Sequence, residues 1–357
     1  MTNLDNALIL GHNLEVMKKI ANQSVDLIFA DPPYNMNLQK KLLRPNGQEF
    51  NGVNDHWDQF ASLKDYDDQA QGWLKEALRI LKPNGSLWVI GSFHNIHRLG
   101  TILQDLGAWI INEIVWEKTN PVPNFGGTRF VNSQETLLWV VKSKKAKYTF
   151  NYKTMKFING NKQMKSVWKF PICSGNERLK NDLGKKVHST QKPLALLEQI
   201  ILATSSYGDL VLDPFSGTAT TAHAAKKWGR KYIGIEIDPT YHQAANLRLS
   251  GVKETTLNDD LKFAKYDIKV KKVTFKDLLD HHLITTNESI TIGDYQLHFN
   301  SDGKITFNNQ QFSPNALCRK IFQQPTNAWN QIYLNNGQPI ATLRDQLRLI
   351  ILSKDKI

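Results

Sequence analysis

The tetrapeptide Asp31-Pro32-Pro33-Tyr34 combines residue types that suit chemistry on a flat ring bearing an amino group. It follows the apolar run Val25–Ala30, so we expect a buried strand that ends with a carboxylate and a phenol at its C-terminal tip. The two prolines fix φ and remove two backbone donors, which leaves a stiff turn whose carbonyls are free to accept. Acceptors beside an aromatic face suit an exocyclic amine, and the motif therefore predicts chemistry on the amino group of a nucleobase.

A second motif, Asp213-Pro214-Phe215-Ser216-Gly217-Thr218, lies between a strand-like run and a predicted helix. A turn of small residues at a helix N-terminus presents backbone N–H groups, which favour a carboxylate or phosphate, although the turn alone would fit a purely structural role better. Glu236 ends the next strand-like run, 23 residues beyond Asp213. An acidic residue at that place can accept hydrogen bonds from ribose hydroxyls, so the pair of signals indicates a nucleoside ligand rather than a solvated strand end.

The positive charge of the chain is concentrated in one window. The chain has 45 Lys and Arg against 33 Asp and Glu, a net charge of +12. Residues 142–192 hold 14 of the basic and 2 of the acidic residues, which leaves 31 of each sign in the rest. Aromatic residues interleave with these lysines, which favours a nucleic-acid surface over a merely solvated one. The aromatic residues are Tyr148, Phe150, Tyr152, Phe157, Trp168 and Phe170.

Strand-like runs alternate with amphipathic stretches along most of the chain. The alternation predicts an α/β domain with a doubly wound, seven-stranded, mainly parallel sheet that binds ligands at the C-terminal ends of its strands. The predicted strands are 7–10, 25–30, 86–91, 110–116, 136–141, 210–213 and 232–236, and the predicted helices are 14–21, 70–81, 95–106, 194–206, 218–228 and 241–250. The polar stretch 37–66 interrupts the pattern and is long enough to be a functional loop.

The same patterns predict two domains. The first comprises residues 1–262, with a catalytic half at 1–141 that contains the tetrapeptide, a basic insertion for nucleic-acid recognition at about 142–187 and a nucleoside-binding half at about 188–262. A charged linker at 263–272 leads to a small α+β module at 273–357. Turn signals for hairpins within this module occur at Ser301-Asp302-Gly303 and Asn335-Asn336-Gly337.

Cysteine and apolar patterns exclude several classes of protein. Cys173 and Cys318 lie far apart and match no metal-ligand spacing, and the histidines form no convincing metal set. The chain has neither an N-terminal apolar segment typical of a signal peptide nor a long apolar run. These features predict a reduced cytoplasmic protein with no metal and no membrane association.

Taken together, the motifs resemble those of S-adenosylmethionine-dependent amino methyltransferases: Asp-Pro-Pro-Tyr at 31–34, Asp-Pro-Phe-Ser-Gly-Thr at 213–218 and Ile-Gly-Ile-Glu at 233–236. The catalytic motif precedes the cofactor motif, with the basic segment between them, an order similar to the β class of DNA adenine-N6 methyltransferases. The runs 120–130 and 188–193 and the C-terminal module resemble the HinfI-type and cell-cycle-regulated group, which methylates adenine in GANTC. The resemblance covers residues 1–255 and, more loosely, the tail.

The resemblance implies a Rossmann-like class I methyltransferase fold that uses S-adenosyl-L-methionine and double-stranded DNA. Asp31 and the Pro32 carbonyl would accept the two N6–H bonds of a flipped adenine, and Tyr34 would stack on the extruded base. The resemblance also suggests a cognate restriction endonuclease and a second copy of the chain as partners.

For the cofactor, the resemblance implies a site at the tips of three strands. Phe215, Ser216 and Thr218 would line its methionine and ribose side, together with Asp213 and Gly217 of the same turn. Glu236 would hold the ribose, and Asp31 would border the methyl group. Lys192 matches a segment near the methionine carboxylate, although a contact with a DNA phosphate is an equal use of its charge.

Two positions depart from the family pattern. The family usually has glycine where this chain has Ala219, which alanine tolerates if φ there is negative. The family also usually has an acidic residue at the tip of the first strand, where this chain has Gly11-His12-Asn13. A neutral His12 or Asn13 could accept the hydrogen bond from the cofactor's adenine amine instead.

Candidate DNA-reading residues lie on two polar loops. Asn120, Asn124 and Arg129 follow the strand ending at 116, and Arg44 in the loop after Tyr34 has a guanidinium suited to guanine. The alternatives are asparagines that bond their own turn and an arginine that contacts only phosphate.

Two other functions compete with adenine methylation. A cytosine-N4 methyltransferase of similar fold would be expected to have serine in place of Asp31. A non-catalytic DNA-binding regulator on the same scaffold would not need the intact tetrapeptide.

Overall fold

The computed structural model describes residues 5–35, 42–43, 49–50, 58–181, 184–256, 258–267 and 273–354. The chain divides into two compact units, Met1–Asp267 and Ile268–Ile357. The division falls within the 263–272 stretch that the sequence marks as a linker.

The larger unit is built on an eight-stranded sheet. Its strands are β1 (Ala7–Leu10), β2 (Val25–Ala30), β5 (Leu81–Gly91), β6 (Trp109–Lys118), β7 (Gln134–Val141), β8 (Val167–Phe170), β9 (Leu210–Asp213) and β10 (Lys231–Glu236), and the short β3 (Leu42–Leu43) pairs with β4 (Glu49–Phe50) outside this sheet. The strand order is β1-β10-β9-β2-β5-β7-β6-β8. β7 runs antiparallel to its neighbours β5 and β6, and the remaining pairs are parallel.

Helices cover both faces of the sheet, as its buried strands require. They are α1 (Asn13–Met17), α2 (Leu63–Ile80), α3 (Ile96–Asp105), α4 (Tyr152–Ile158), α5 (Leu194–Thr204), α6 (Thr220–Lys227), α7 (Pro239–Ser250) and α8 (Asp259–Lys262). Side chains of β2 alternate between two cores: Leu27 and Phe29 pack in the core that includes α5 and α6, and Ile28 and Ala30 in the core that includes α2 and α3. The doubly wound α/β prediction is therefore confirmed.

The number of strands is the main difference from the sequence prediction. All seven predicted strands are present, and β8 adds an eighth, parallel to β6 at the sheet edge. β8 lies within the basic insertion, where the indole N–H of Trp116 also donates to the Phe170 carbonyl at 2.9 Å. The strand has four residues and buries only Trp168 fully, so its alternation is too short to distinguish it from a lysine-rich loop.

The C-terminal unit is α+β and has its own hydrophobic core. Gly303 and Gly337 adopt φ of +75° and +77°, and at these two predicted turns the chain reverses and forms the single antiparallel bridges Phe299–Ile305 and Tyr333–Pro339. Its elements are α9 (Phe275–Asp280), β11 (Ile290–Ile292), β12 (Tyr295–Leu297), β13 (Ile305–Phe307), β14 (Gln310–Phe312), α10 (Pro314–Phe322), α11 (Ala328–Gln331), β15 (Ile332–Leu334) and α12 (Ala341–Lys354).

The described part of the chain contains neither a membrane-spanning helix nor a group of metal ligands. None of its helices has both the length and the apolar character needed to cross a membrane. Within the same residues, no three His, Cys, Asp or Glu side chains are grouped as a metal site would require.

Candidate active site

A cavity of about 320 Å³ lies where several parallel strands end at the same edge of the sheet. The segments that follow β1, β2 and β9 and the end of β10 each contribute to its wall, as expected for a doubly wound sheet. The lining residues are Gly11, His12, Asn13, Leu14, Asp31, Pro32, Pro33, Tyr34, Asp58, Gln59, Phe60, Tyr66, Gln69, Ala70, Trp73, His188, Thr190, Pro214, Phe215, Gly217, Ile235, Glu236, Ile237 and Tyr241.

The Asp31 carboxylate has one anchored and one unsatisfied oxygen. Its Oδ2 accepts a hydrogen bond from Lys192 Nζ at 2.6 Å. Its Oδ1 is buried and has no hydrogen-bond partner in the part of the chain that the structure describes. A buried acceptor without a donor is costly, and such groups in a cavity wall commonly mark a ligand contact.

Hydrogen bonds from two side chains hold the tetrapeptide turn. The Pro33 carbonyl accepts from the Tyr66 hydroxyl at 3.1 Å and from Asn95 Nδ2 at 3.3 Å. The expectation that both proline carbonyls are free is therefore wrong for Pro33, because two side chains from α2 and the start of α3 have reached it. Within the described ranges no hydrogen bond is made to the Pro32 carbonyl, which leaves it as an available acceptor on the cavity wall.

Tyr34 is fixed through its hydroxyl group. The ring is only 8% exposed, and its hydroxyl donates to Glu135 Oε2 at 2.8 Å. Glu135 also forms an ion pair with Lys118, whose Nζ lies 2.8 Å from Oε1, and Lys192 Nζ lies 3.8 Å from Oε2. Two carboxylates and two ammonium groups thus meet beside the cavity.

The charges of this group are set by burial and by one another. Burial raises the pKa of Asp31 above its ordinary value, against the opposing effect of Lys192. Burial also raises the pKa of Glu135, but Lys192 and Lys118 outweigh it and hold the pKa below its usual range. Burial lowers the pKa of Lys192, but the two carboxylates outweigh it, so the pKa is raised and the ammonium remains charged.

Glu236 and the turn after β9 form the opposite part of the wall. Glu236 Oε2 accepts from the Gly217 amide at 2.7 Å, and Oε1 accepts from the Asp238 amide at 2.8 Å. Both oxygens are thereby oriented, and each has a lone pair left for a ligand. Phe215 contributes its ring to the same wall, in edge contact with Trp73 at a centroid distance of 5.2 Å.

Three residues of this turn lie behind the cavity wall. Asp213 uses both oxygens within the turn, accepting from the Phe215 amide at 2.9 Å and from the Thr221 hydroxyl at 2.6 Å. Burial raises the pKa of Asp213 to about 7. Ser216 and Thr218 are also buried and do not line the cavity, so the structure gives all three a supporting position.

The backbone at Ala219 has a positive φ. Its φ is +60°, in the left-handed region, and it is the residue immediately before α6. The negative φ that would make alanine tolerable without strain is therefore absent, and the turn has the conformation that glycine adopts most easily.

The residues after β1 line the cavity as expected from their place at a strand tip. Asn13 Oδ1 accepts from the Leu14 amide at 2.8 Å and thereby caps the first turn of α1. The His12 side chain makes no capping hydrogen bond, and both residues line the cavity.

Lys192 lies beside the tetrapeptide. Its side chain is 8% exposed and lies against Asp31 and over the Tyr34 ring, at 5.2 Å from the centroid. The carboxylate that it binds within the protein is that of Asp31.

The predicted DNA-reading residues are differently placed. Asn124 Nδ2 donates to the Arg129 carbonyl at 2.8 Å within its own loop, as the turn-residue alternative expects. Asn120 Oδ1 instead accepts from the Ile172 amide at 2.7 Å, in a segment 52 residues away. The Arg129 guanidinium lies 5.9 Å from the centre of the Phe93 ring, and the neighbouring Phe130 is 96% exposed. Arg44 lies outside the described residues.

Glu135 and Lys118 are site residues that the sequence did not reveal. Glu135 precedes an apolar run, as many surface carboxylates do. The available signal was the direction of β7: in an antiparallel strand the N-terminal end lies at the edge where the parallel strands have their C-terminal ends.

The fold and cavity define the class of protein. A doubly wound sheet with one reversed strand and a cavity at its C-terminal edge is the class I S-adenosylmethionine-dependent methyltransferase architecture. Two solved structures share it: the M1.HpyAVI–SAM complex, at 29% identity over 68% of this chain and 98% of that one with a TM-score of 0.51, and the cytosine-N4-specific PvuII DNA methyltransferase, at 20% identity over 73% and 91% with a TM-score of 0.54. The PvuII likeness supports the fold alone.

The sequence comparisons identify the family within this class. Residues 25–247 match the family model of N6/N4 methyltransferases, described as DNA methylase, and the chain belongs to that family. The type II methyltransferase M.HinfI of Haemophilus influenzae is 46% identical over 350 residues, which are 96% of each chain. The type II methyltransferase M2.DpnII of Streptococcus pneumoniae is 41% identical over 253 residues, 70% of this chain and 92% of its own.

Proposed function

We propose that the protein transfers a methyl group from S-adenosyl-L-methionine to N6 of an adenine flipped out of double-stranded DNA. The observation that carries the proposal is Asp31, whose Oδ1 is a buried acceptor without a donor, in the wall of the cavity that Glu236 also lines. Membership in the DNA methylase family supplies the reaction class.

The residues of the cavity fit this cofactor. Glu236 has oriented oxygens for the ribose hydroxyls, and Phe215 offers an aromatic face for a flat ring. His188 also lines the cavity, and burial together with Lys192 and Arg178 lowers its pKa to about 3, so its ring is neutral near pH 7. A neutral ring does not repel a sulfonium cation. S-adenosyl-L-methionine supplies an activated methyl group when it is bound.

The chain's own residues bind and orient the amino group of the target base. Asp31 Oδ1 and the Pro32 carbonyl accept the two N6–H bonds, which turns the nitrogen lone pair toward the methyl group. As the N–C bond forms and the S–C bond breaks, positive charge develops on N6 and the fixed carboxylate stabilises it. The electrons of the S–C bond would remain on sulfur as a neutral thioether, and the methylated nitrogen would lose one proton to solvent. The Tyr34 ring, held by Glu135, stacks on the extruded base.

Adenine is the proposed base because Asp precedes Pro-Pro-Tyr, and the proposed site is GANTC because of the resemblance to the HinfI-type group. Arg44, Asn120, Asn124 and Arg129 are the proposed DNA contacts. Asn120 and Asn124 use only one polar atom each in the bonds described above, so each keeps a free end for a base or phosphate. A cognate restriction endonuclease and a second copy of the chain are proposed partners, in the bacterial cytoplasm.

The test is methylation of defined duplexes. The protein is incubated with S-adenosylmethionine carrying a labelled methyl group and with a duplex containing GANTC, and the DNA is digested to nucleosides. We expect N6-methyldeoxyadenosine, and no label in a matched duplex in which both A·T pairs of the site are replaced by G·C pairs, so that each strand reads GGNCC. Label in N4-methyldeoxycytidine alone would overturn the adenine assignment. DNA binding without transfer of label would favour the non-catalytic regulator.

A further inference from the structure

We propose that Lys192 and Glu135 are positioning residues for methyl transfer, which act through Asp31 and Tyr34 without touching the cofactor or the DNA. Lys192 holds one oxygen of Asp31 and leaves the other for the substrate amine, and Glu135 holds Lys192 and the Tyr34 hydroxyl. The inference rests on the proposed function.

The hydrogen bonds show how Lys192 fixes the orientation of the carboxylate. Its Nζ lies 2.6 Å from Asp31 Oδ2 and 3.5 Å from the Thr190 carbonyl. With Oδ2 anchored, Oδ1 is the oxygen of Asp31 that lacks a partner among the described residues. Rotation of the carboxylate would break a short charge-assisted bond, so the ammonium determines which oxygen meets the amino group.

Glu135 connects this pair to the ring that stacks on the base. Oε2 accepts from Tyr34 and lies 3.8 Å from Lys192, while Oε1 is paired with Lys118. The four groups come from four different segments of the chain: the turn after β2, the end of β6, the start of β7 and the residues before α5. A change in any one of them therefore alters the position of the others.

The charge count explains why all four are needed. Two carboxylates and two ammonium groups sum to zero, and a buried group of charges is tolerated when each is paired. Three further titratable groups face this cluster. Tyr34 and His188 are neutral near pH 7, because burial raises the pKa of the phenol and lowers that of the imidazole. Asp213, whose pKa burial raises to about 7, is neutral below that pH and adds one negative charge above it, in wild type and variants alike. Removal of Lys192 leaves Asp31 and Glu135 opposed only by Lys118. Removal of the Glu135 charge instead leaves Asp31 beside two cations.

These two changes must shift the protonation of Asp31 in opposite directions. The experiment measures single-turnover methyl transfer to the GANTC duplex as a function of pH for wild type, Lys192→Met and Glu135→Gln. Loss of the ammonium disfavours the charged carboxylate, so we expect the acid limb of Lys192→Met to move up by about 1 to 3 pH units. The rate near neutral pH should then fall by about 10- to 100-fold. Glu135→Gln should move the acid limb down.

Two further variants and a binding measurement make the test specific. Lys192→Arg keeps the charge and should keep the wild-type pH profile. The double variant Lys192→Met/Glu135→Gln restores a net charge of zero, so its acid limb should lie between those of the single variants. The Kd for S-adenosylmethionine should change by less than about twofold in Lys192→Met, because the ammonium is occupied by Asp31.

Lys82→Met is the matched control, because Lys82 forms an ion pair of the same length with Asp26 at the other end of β2. It should leave the pH profile unchanged. If Lys192→Met does not fold, Glu135→Gln, which preserves shape, carries the test alone. The inference is overturned if the pH profile is unchanged in both variants. It is also overturned if Lys192→Met keeps the wild-type pH profile but has a raised Kd for the cofactor, because Lys192 would then act on cofactor binding. Absence of methyl transfer by the wild type would overturn the proposed function instead.

Discussion

Strand β2 has an Asp–Lys ion pair at each end, and the two pairs differ in whether the second carboxylate oxygen already accepts a hydrogen bond. In both, the ammonium nitrogen lies 2.6 Å from an aspartate oxygen. Asp26, near the N-terminal end, uses its second oxygen to accept from the Leu210 amide at 2.9 Å. Asp31, just beyond the C-terminal end, has a second oxygen that is buried and unpartnered within the described residues.

Exposure separates the two pairs as well. The side chains of Lys82 and Asp26 are 42% and 20% exposed, whereas those of Lys192 and Asp31 are 8% and 16% exposed. Asp26 joins β2 to the start of β9 where the pairing of β2 with β5 shifts register, which is a structural task. The ion pairs at the two ends of β2 therefore have the same length, and what distinguishes Asp31 is a buried oxygen without a donor among the described residues.

The largest difference should appear in catalysis. We expect Asp31→Asn to lower the rate of methyl transfer by about 1000-fold, because the amide cannot stabilise positive charge on N6 as a carboxylate does. Asp26→Asn should stay within about twofold of wild type, since surface substitutions away from a site have small effects. Single-turnover rates, normalised to folded protein by circular dichroism, check both. Equal losses would show that the unsatisfied oxygen is not what distinguishes the pairs.

Asp213, at the tip of the neighbouring β9, is a buried aspartate whose two oxygens both have hydrogen-bond donors. It therefore allows the effect of burial to be distinguished from the effect of an oxygen without a donor. It is more deeply buried than Asp31, but both its oxygens are bonded like those of Asp26. Its pKa of about 7 lies above the ordinary value of 3.8, so folding favours the protonated form. The stability that this group contributes is fully present below the ordinary pKa and is lost as pH rises through about 7.

Urea unfolding at several pH values tests this difference. The free energy of unfolding of wild type should decline by a few kcal/mol at most between pH 4 and pH 8 on account of this group, and Asp213→Asn should lack that decline. Methyl transfer by Asp213→Asn should remain within about 10-fold of wild type. A loss as large as that of Asp31→Asn would show that burial alone marks the catalytic carboxylate.

The smallest effect is expected at the exposed pair. Asp26→Asn should lower the free energy of unfolding by about 1 kcal/mol, because it weakens a partly solvated ion pair and keeps an acceptor for the Leu210 amide. Thermal or urea unfolding at neutral pH measures it, with Lys64→Met, from the highly exposed Lys64–Asp68 pair, as the control for a pair that should contribute almost nothing. A loss above about 3 kcal/mol would place Asp26 in the class of buried pairs.

The sequence was most informative where one strand carries its own signal. β2 is buried on both faces, so its continuous apolar run located the strand and placed Asp31 at its tip. The turn after β9 and Glu236 followed from the same reasoning. Both conclusions depend on residues close together in the chain.

What depends on distant segments could not be predicted. Lys192 and Asp31 are 161 residues apart, and nothing in either segment names the other as its partner. Glu135 reaches the site only because β7 is reversed in the sheet. β8 is an edge strand because it pairs with β6. Its own four residues, with one buried side chain, are too few to predict a strand.

Ala219 has a consequence for how tightly the cavity holds its ligand. An L-residue in the left-handed region costs about 1–2 kcal/mol, and folding of the surrounding core must supply this. Alanine also has fewer backbone conformations than glycine, so the turn from Asp213 to Ala219 has less disorder to lose when a ligand arrives. The chain thereby moves an entropic cost from the binding step to the folding step, and the turn is preorganised for its ligand.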